Sequence, residues 1–440
     1  MPTHTANGDT RLSRWQRVRL YAVPPTMIET ATARRRAGDW AGACAAAHVD
    51  VDLDLRSVAR THGEALKARL RADLRRLAPD LLRWHLPRIA PRGLLRPGLT
   101  VPLARYGPAD HGGPGPLHLV VRTDPGWADA GQRISLALWD GSRTQAVERR
   151  HPHPRPSRRY RLDLHRHLWD ADRSGELRTR SEAEGRPGAT GPALAVPDGC
   201  AVGRWAAEAA ILLHAEGRPP GPVAVRLGAG RRLLLDTDTA GRPVLQASDG
   251  DTGSLPVLPD AATWLPPDLE LLRAGLIEPD RLHPLVAAAL TPGHVPAASG
   301  PPTDPVGGAR LVDCRGARHR IDLVDGVLAA LDHDPAELRR EELLAALTGT
   351  PLPCLQAIDA VHRHPEDLDD VRARLEHGDP EGALAVVERL LGPGAALRDG
   401  PLRDELAAAV ERRVTHGLYR AGLVKTPPSP DRTPRRPRAL

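Results

Sequence analysis

The chain has 440 residues, with 61 Lys/Arg against 55 Asp/Glu and a formal net charge of +6. That length admits two or three domains with separate cores. No apolar run approaches the ~20 residues needed to span a bilayer, which argues against a membrane partner.

The near-balanced total hides a strong asymmetry. Residues 1–100 carry 18 Lys/Arg against 9 Asp/Glu, a balance of +9, while residues 251–400 carry 13 against 25, a balance of −12. Segregation on this scale predicts a basic face offered to something anionic, or two oppositely charged parts that meet. Only Lys67 and Lys425 are lysine, so the cations are almost all arginine, which offers a bidentate fork and a stacking plane. Phe is absent, leaving eight Trp and four Tyr as the large aromatics.

Residues 1–100 read as a basic, mainly helical region. Leu66, Leu70, Leu74 and Leu77 fall on one stripe of a 3.6-residue helix, with Lys67, Arg69, Arg71, Arg75 and Arg76 on other faces. Pro79 interrupts this pattern, and Leu81–Leu86 can form one more short turn. Residues 101–250 form the expected β-rich domain. Leu117–Thr123 and Gln132–Trp139 alternate apolar and polar residues across a Asp124-Pro125-Gly126 turn, an antiparallel pair. Pro222–Leu227, Arg231–Asp236 and Val244–Ala247 read as a second set of short strands. Residues 251–290 are a helical segment, and 291–308 a Pro/Gly linker. Residues 309–424 read as a β-meander (Arg310–Cys314, Ala317–Val324, Gly326–Leu331) followed by an acidic helical bundle. Asp334-Pro335 and Asp379-Pro380 supply helix caps there. Residues 425–440 are Pro/Arg-rich and read as a disordered basic tail. The fold class expected is therefore α+β and multidomain.

Two segments echo each other: Ala37-Gly38-Asp39-Trp40-Ala41-Gly42-Ala43 and His377-Gly378-Asp379-Pro380-Glu381-Gly382-Ala383. In each, Gly ends one helix and Asp caps the next. This resembles the inter-helix turn of tetratricopeptide-type hairpins. Two copies this far apart are two separate hairpins and not an array.

Four segments carry candidate chemistry. If Tyr160–Asp172 is a strand, Asp163, His165 and His167 share one face, a donor set suited to a divalent metal. Asp163-Leu164-His165-Arg166-His167 resembles the first-strand DxHxH signature of amidohydrolase-type barrels, and Ile211-Leu212-Leu213-His214 a later metal strand of that family. A polar strand face is the alternative, and Trp205–Glu216 reads better as a helix. Asp170–Leu177 resembles the start of an EF-hand calcium loop, although position twelve is Ser181 and Glu182 comes one step late. A polar turn is the alternative there. Leu233-Leu234-Leu235-Asp236-Thr237-Asp238-Thr239 resembles the strand-then-DxDxT motif of haloacid-dehalogenase-type phosphatases, but it runs on through AGRP into another strand-like segment, which reads as a hairpin. Asp50, Asp52 and Asp54 alternate with apolar residues, so a magnesium-binding strand face and a helix approach capped by Asp54 both fit. Cys314 with His319, and Cys354 with His362 and His364, lack zinc-finger spacing and read as buried thiols and surface histidines.

Several chemistries are excluded. A P-loop and a pyridoxal-phosphate Schiff base would require Lys67, which sits among arginines in a helix, or Lys425, which sits in the tail. Gly228-Ala229-Gly230 leads into another strand, so it is a turn and no NAD cradle is expected. GxSxG does not occur. The four cysteines contain no CxxC pair, and the N-terminal stretch lacks an apolar signal core; both favour a reducing, cytoplasmic location.

The expectation is a non-enzymatic binding or adaptor protein with an arginine-rich N-terminal surface. Its anion-binding residues would be Arg14, Arg17, Arg19, Lys67, Arg69, Arg71, Arg75, Arg76 and Arg83. The partner would be nucleic acid, with Trp15, Tyr21 and Trp84 pairing stacking with charge, or an acidic protein surface, or the chain's own acidic C-terminal region. Solvated helix faces are the plain alternative. A metal-dependent hydrolase centred on Asp163, His165 and His167 is the alternative of another class.

Overall fold

The computed structural model describes residues 5–111, 115–141, 151–181, 196–228, 230–237, 243–247, 253–294, 310–324, 327–348, 351–363, 367–392, 394 and 396–424. The fold over these residues is α+β, with several small sheets among many short helices. The expected tail, most of the Pro/Gly linker, Asp238, Glu182 and His364 lie outside the described residues.

The leucine stripe forms helix Glu64–Arg76, which buries Leu66, Leu70 and Leu74 completely while Arg69, Arg71 and Arg75 face water. Each buried leucine is worth roughly 1.5–3 kcal/mol, so this face fixes the helix against the core. Pro79 starts a second helix, Pro79–His85, because proline is tolerated at a first helical turn. Strand β1 (Val49–Val51) follows helix Trp40–Ala46, and a short hairpin of β2 (Arg88–Ile89) and β3 (Leu94–Leu95) leads to β4 (Thr100–Tyr106). Strands β5 (Leu117–Thr123) and β6 (Ile134–Trp139) pair antiparallel as the alternation predicts. The sheet order is β1-β6-β5-β4, with β1 parallel to β6.

A second module packs helix Trp205–Ala215 on the antiparallel sheet of β7 (Val223–Gly228), β8 (Arg231–Thr237) and β9 (Pro243–Ala247). The third sheet is the expected meander: β10 (Arg310–Cys314), β11 (Ala317–Val324) and β12 (Val327–Ala330). Helices Pro335–Thr348, Pro353–Arg363, Leu368–His377, Pro380–Leu391 and Pro401–Ala421 follow.

Among the described residues four hydrophobic cores form, and the first holds residues from both sides of residue 100. The largest joins the N-terminal helices to the first sheet and takes Leu271, Leu282, Val286 and Ala289 from the 251–290 segment. The others sit under β7–β9, among the last helices, and beneath the meander.

The two echoing segments are equivalent turns. Gly38 and Gly378 take positive φ (79° and 87°), and Asp39 and Asp379 accept from the amides of Gly42 and Gly382, both at 2.8 Å. Each cap is also held by an arginine five residues earlier, Arg34 at 3.2 Å and Arg374 at 2.9 Å.

The C-terminal helices dock on the N-terminal region. Arg83 is fully buried and donates to three carbonyls: Ala22 (2.9 Å), Gln132 (2.5 Å) and His377 (3.1 Å). The His377 ring stacks on Tyr21, with centroids 6.1 Å apart, and donates from Nε2 to the Arg92 carbonyl. Gly131 and Gly378 meet main chain to main chain: a Cβ on Gly131 would lie 2.6 Å from the Gly378 Cα. Ion pairs across this joint run in both senses. Arg92 meets Glu376, whereas Arg420 meets Asp52 and His416 lies 3.0 Å from Asp124.

Candidate functional site

Most of the cations expected to face a partner are engaged within the chain. Arg19 is buried and ion-paired with Asp268 at 2.9 Å, over the Trp84 ring. Arg83 is buried as described. Neither can meet an external anion, which corrects their placement on a surface: sequence patterning treats arginine as exposed, whereas here three carbonyls hold Arg83 inside and the Asp268 carboxylate holds one nitrogen of Arg19. Lys67 pairs with Glu64, Arg69 with Asp110, and Arg76 with Asp73. Arg71 and Arg75 are exposed, and Arg17 lies over the Tyr21 ring. Trp84 donates its Nε1–H to Asp268 at 2.7 Å and is buried, so it offers no stacking face to solvent.

None of the donor sets singled out in the sequence forms a close triplet among the described residues, and most of their donors have other partners. Residues 160–172 are turns and a 3-10 stretch, not a strand, so the alternation does not put Asp163, His165 and His167 on one sheet face. Asp163 accepts both forks of Arg161 at 2.8 Å. His165 binds the Arg161 carbonyl through Nδ1, and its Nε2 sits 3.2 Å from Glu208. His167 Nδ1 is buried without a hydrogen-bond partner, and His165 Nε2 has only the Glu208 carboxylate beside it. Asp170 accepts from Arg166 at 2.8 Å and caps the following turn, where the calcium-loop resemblance would make it a ligand. Asp236 lies mid-hairpin opposite Val244. Asp50 pairs with Arg133, Asp52 with Arg420, and Asp54 caps helix Leu55–His62.

What the fold does assemble is a cleft of about 910 Å³ between the first and second cores. Its walls come from the first helix (Arg11, Arg14, Trp15), the end of helix Pro79–His85 (His85) and the segment after it (Arg88, Arg96), residues 159–168, and the stretch from Asp260 to Arg273. Eight arginines line it: Arg11, Arg14, Arg88, Arg96, Arg159, Arg180, Arg231 and Arg273. Against them stand three carboxylates, Asp198, Asp260 and Glu270. Arg11 pairs with Glu270 at 2.9 Å and lies over the Trp264 ring at 4.5 Å. Arg159 pairs with Asp260 at 2.7 Å. Arg14, Arg88 and Arg96 form no ion pair among the described residues. Trp15, Tyr160 and Trp264 add aromatic surface to the same walls.

The electrostatics of these walls follow from burial and crowding. Burial lowers the Arg14 guanidinium, and neighbouring Arg11 lowers it further. Burial, then Arg83 and Arg14, push Arg88 well below its ordinary value. Burial holds His85 down to about 4 and His167 well below the usual imidazole range, so both are neutral at pH 7. His85 Nε2, His167 Nδ1, Arg14 Nε and Trp15 Nε1 are buried without a hydrogen-bond partner in the chain. Of these, the Arg14 Nε–H and Trp15 Nε1–H are desolvated donors in a concave site, arranged to gain from an entering anion.

Arg180, on the same wall, is braced by Glu208 at 2.8 Å (Nε to Oε1), beside His165. Burial alone would raise the Glu208 carboxyl, but hydrogen bonds from His165 and Arg180 hold it down to about 2. The folded value lies below the unfolded one, so this contribution is complete above pH 4.5 and fades as pH falls toward 2. It amounts to about 3 kcal/mol. We expect Glu208→Gln to lower the thermal midpoint most at neutral pH, with the deficit shrinking below pH 4.5. A deficit independent of pH down to the lowest value at which both proteins fold would contradict this.

Of the residues singled out in sequence, Arg14, Trp15 and His167 line this cleft. The rest of its walls escaped notice because they come from segments far apart in the chain. No family model matches this sequence, and neither a curated protein nor a solved structure matches it.

Proposed function

We propose that this chain is a non-enzymatic binding protein whose cleft takes a phosphate-bearing aromatic ligand: a nucleotide unit, free or within a single strand. The observation that carries this reading is the excess of arginine over carboxylate in the same walls that hold Trp15, Tyr160 and Trp264. Phosphate recognition favours the bidentate arginine fork, and bases stack on aromatic faces and guanidinium planes. A concave site of this size suits a small ligand or a strand better than it suits a folded acidic surface.

The test is binding of a fluorescently labelled single-stranded oligonucleotide, with a mononucleotide and inorganic pyrophosphate as competitors, across a salt series. Affinity should fall linearly with log salt, by about 0.7 in log K per phosphate contacted. Removing one contact, as in Arg96→Ala or Arg14→Ala, should flatten that slope by a similar amount. Trp264→Ala should cost about tenfold, from the ~1–3 kcal/mol that one stacked base is worth. Competition by the mononucleotide and not by pyrophosphate would mark the base as part of the ligand. Absence of any binding at low salt removes the reading.

A further inference from the structure

Beneath the meander the fold gathers two thiols and two imidazoles that the sequence spacing does not announce. Cys314 closes β10, His333 follows β12, and Cys354 lies in the first turn of helix Pro353–Arg363. Their ligand atoms lie within 4.8 Å of one another, and among the described residues this is the one triplet of Cys, His, Asp or Glu that reaches such proximity. Both cysteines are fully buried and free, and their thiols hydrogen-bond to one another.

A fourth donor stands beside them. Val312 pairs with His319 across β10 and β11, so His319 shares the inward face of Val312 and Cys314. Its ring centroid is 4.2 Å from that of His333. His319 Nδ1 and His333 Nε2 are both buried with no hydrogen-bond partner in the chain. Two orphaned imidazole nitrogens stand beside two buried thiols that bond to each other.

The energetics point the same way. Among the described residues this core holds Cys314, Ile321, Ala330, Leu352, Cys354 and Ile358 as buried apolar residues. So few side chains bury little surface, and small cores of this kind are commonly completed by a disulfide or a metal.

We propose that Cys314, His333 and Cys354, with His319 as the fourth ligand, form a structural zinc site that staples the meander to the helix behind it. Two thiolates and two imidazoles suit Zn²⁺ in tetrahedral geometry, and two thiolates neutralise its charge. With Zn–S near ~2.3 Å and Zn–N near ~2.1 Å, donors in such a site stand roughly 3.4–3.8 Å apart. The Cys314, His333 and Cys354 atoms therefore close by at most about 1.4 Å, while His319, outside that triplet, reaches the ion by turning its ring. The site is independent of the arginine-lined cleft.

The experiment uses the full chain, purified without chelator and kept in a non-thiol reductant. One zinc per chain is expected by elemental analysis. Cys314 and Cys354 should resist alkylation until a chelator is added, and then react. Cobalt(II) added to the chelator-stripped chain should give the visible bands of a tetrahedral site and a near-ultraviolet thiolate-to-metal band. Cys354→Ser should abolish the thiolate band of its sulfur and the stoichiometric zinc. His319→Ala should retain cobalt but bind it at least tenfold more weakly with an altered visible spectrum, and an unchanged spectrum and affinity would remove His319 from the ligand set. The proposal as a whole is overturned by equal alkylation rates with and without chelator together with substoichiometric zinc. A Cys314–Cys354 disulfide found by mass in the chain as purified would equally overturn it.

Discussion

Replacing Arg83 with methionine should cost about 3–5 kcal/mol of stability and release the C-terminal hairpin first. The fork binds the carbonyls of Ala22, Gln132 and His377 from three separate parts of the chain. Burial lowers its pKa to about 10 against the pull of Asp129, yet leaves it protonated at neutral pH. Methionine fills much of the stem's volume but donates nothing. Three carbonyls then lose a charged donor, and an unsatisfied buried polar group costs about 1–3 kcal/mol. Part of that loss is offset because the desolvated guanidinium is no longer buried. Denaturant unfolding measures the total, and limited proteolysis under native conditions shows whether residues 367–424 become cleavable before the rest. A loss under 1 kcal/mol, with an unchanged cleavage pattern, would show that the fork is dispensable.

The second large effect is with pH. Burial pushes His377 down to about 3, and the nearby Arg88 and Arg83 charges lower it further. Burial likewise lowers His48 to about 3 and His85 to about 4. Each folded value lies below the unfolded value of 6.5, so the unfolded chain binds protons first as the pH drops. Stability from these groups is complete above pH 6.5 and declines below it. For His377 alone the loss between pH 7 and pH 5 is about 2 kcal/mol. The protein should therefore destabilise across the histidine range, well before its carboxylates titrate. His377→Gln keeps a donor toward the Arg92 carbonyl while removing the ionisation. Its thermal midpoint should fall less than that of the unaltered chain between pH 7 and pH 5. Parallel pH profiles for the two proteins would refute the role assigned to His377.

How much of this was legible in the sequence differs by element, for physical reasons. Strands β5, β10 and β11 were readable to the residue because period-2 alternation and flanking turn residues agree there. The Asp-Pro caps located two C-terminal helices in the same way. Strand β1 was harder, since its three residues acquire strand geometry by pairing with β6, far along the chain. Residues 160–167 alternate like a strand but fold as turns, where the Arg161 fork closes on Asp163 and Trp169 reaches back to the Leu162 carbonyl.

Charge was legible only as an average. An excess of arginine in residues 1–100 does not distinguish Arg83, enclosed by carbonyls, from Arg14, which lines a cleft. That difference is set by residues from elsewhere in the chain: His377 in one case, Glu270 and Trp264 around the other. The thiol–imidazole cluster was illegible for the same reason. Cys314, His333 and Cys354 are separated by 18 and 20 residues, and they meet through the registry of the meander and the packing of helix Pro353–Arg363 against it.

The contact of Gly131 with Gly378 has an implication for ancestry. A side chain at either position would intrude on the opposing backbone, and both residues hold positive φ. A related protein that keeps this joint must therefore keep glycine twice, at places that no local motif links. Paired retention of these two residues, together with Asp379 just after the second, gives a filter for recognising distant kin whose remaining sequence has drifted past ordinary detection.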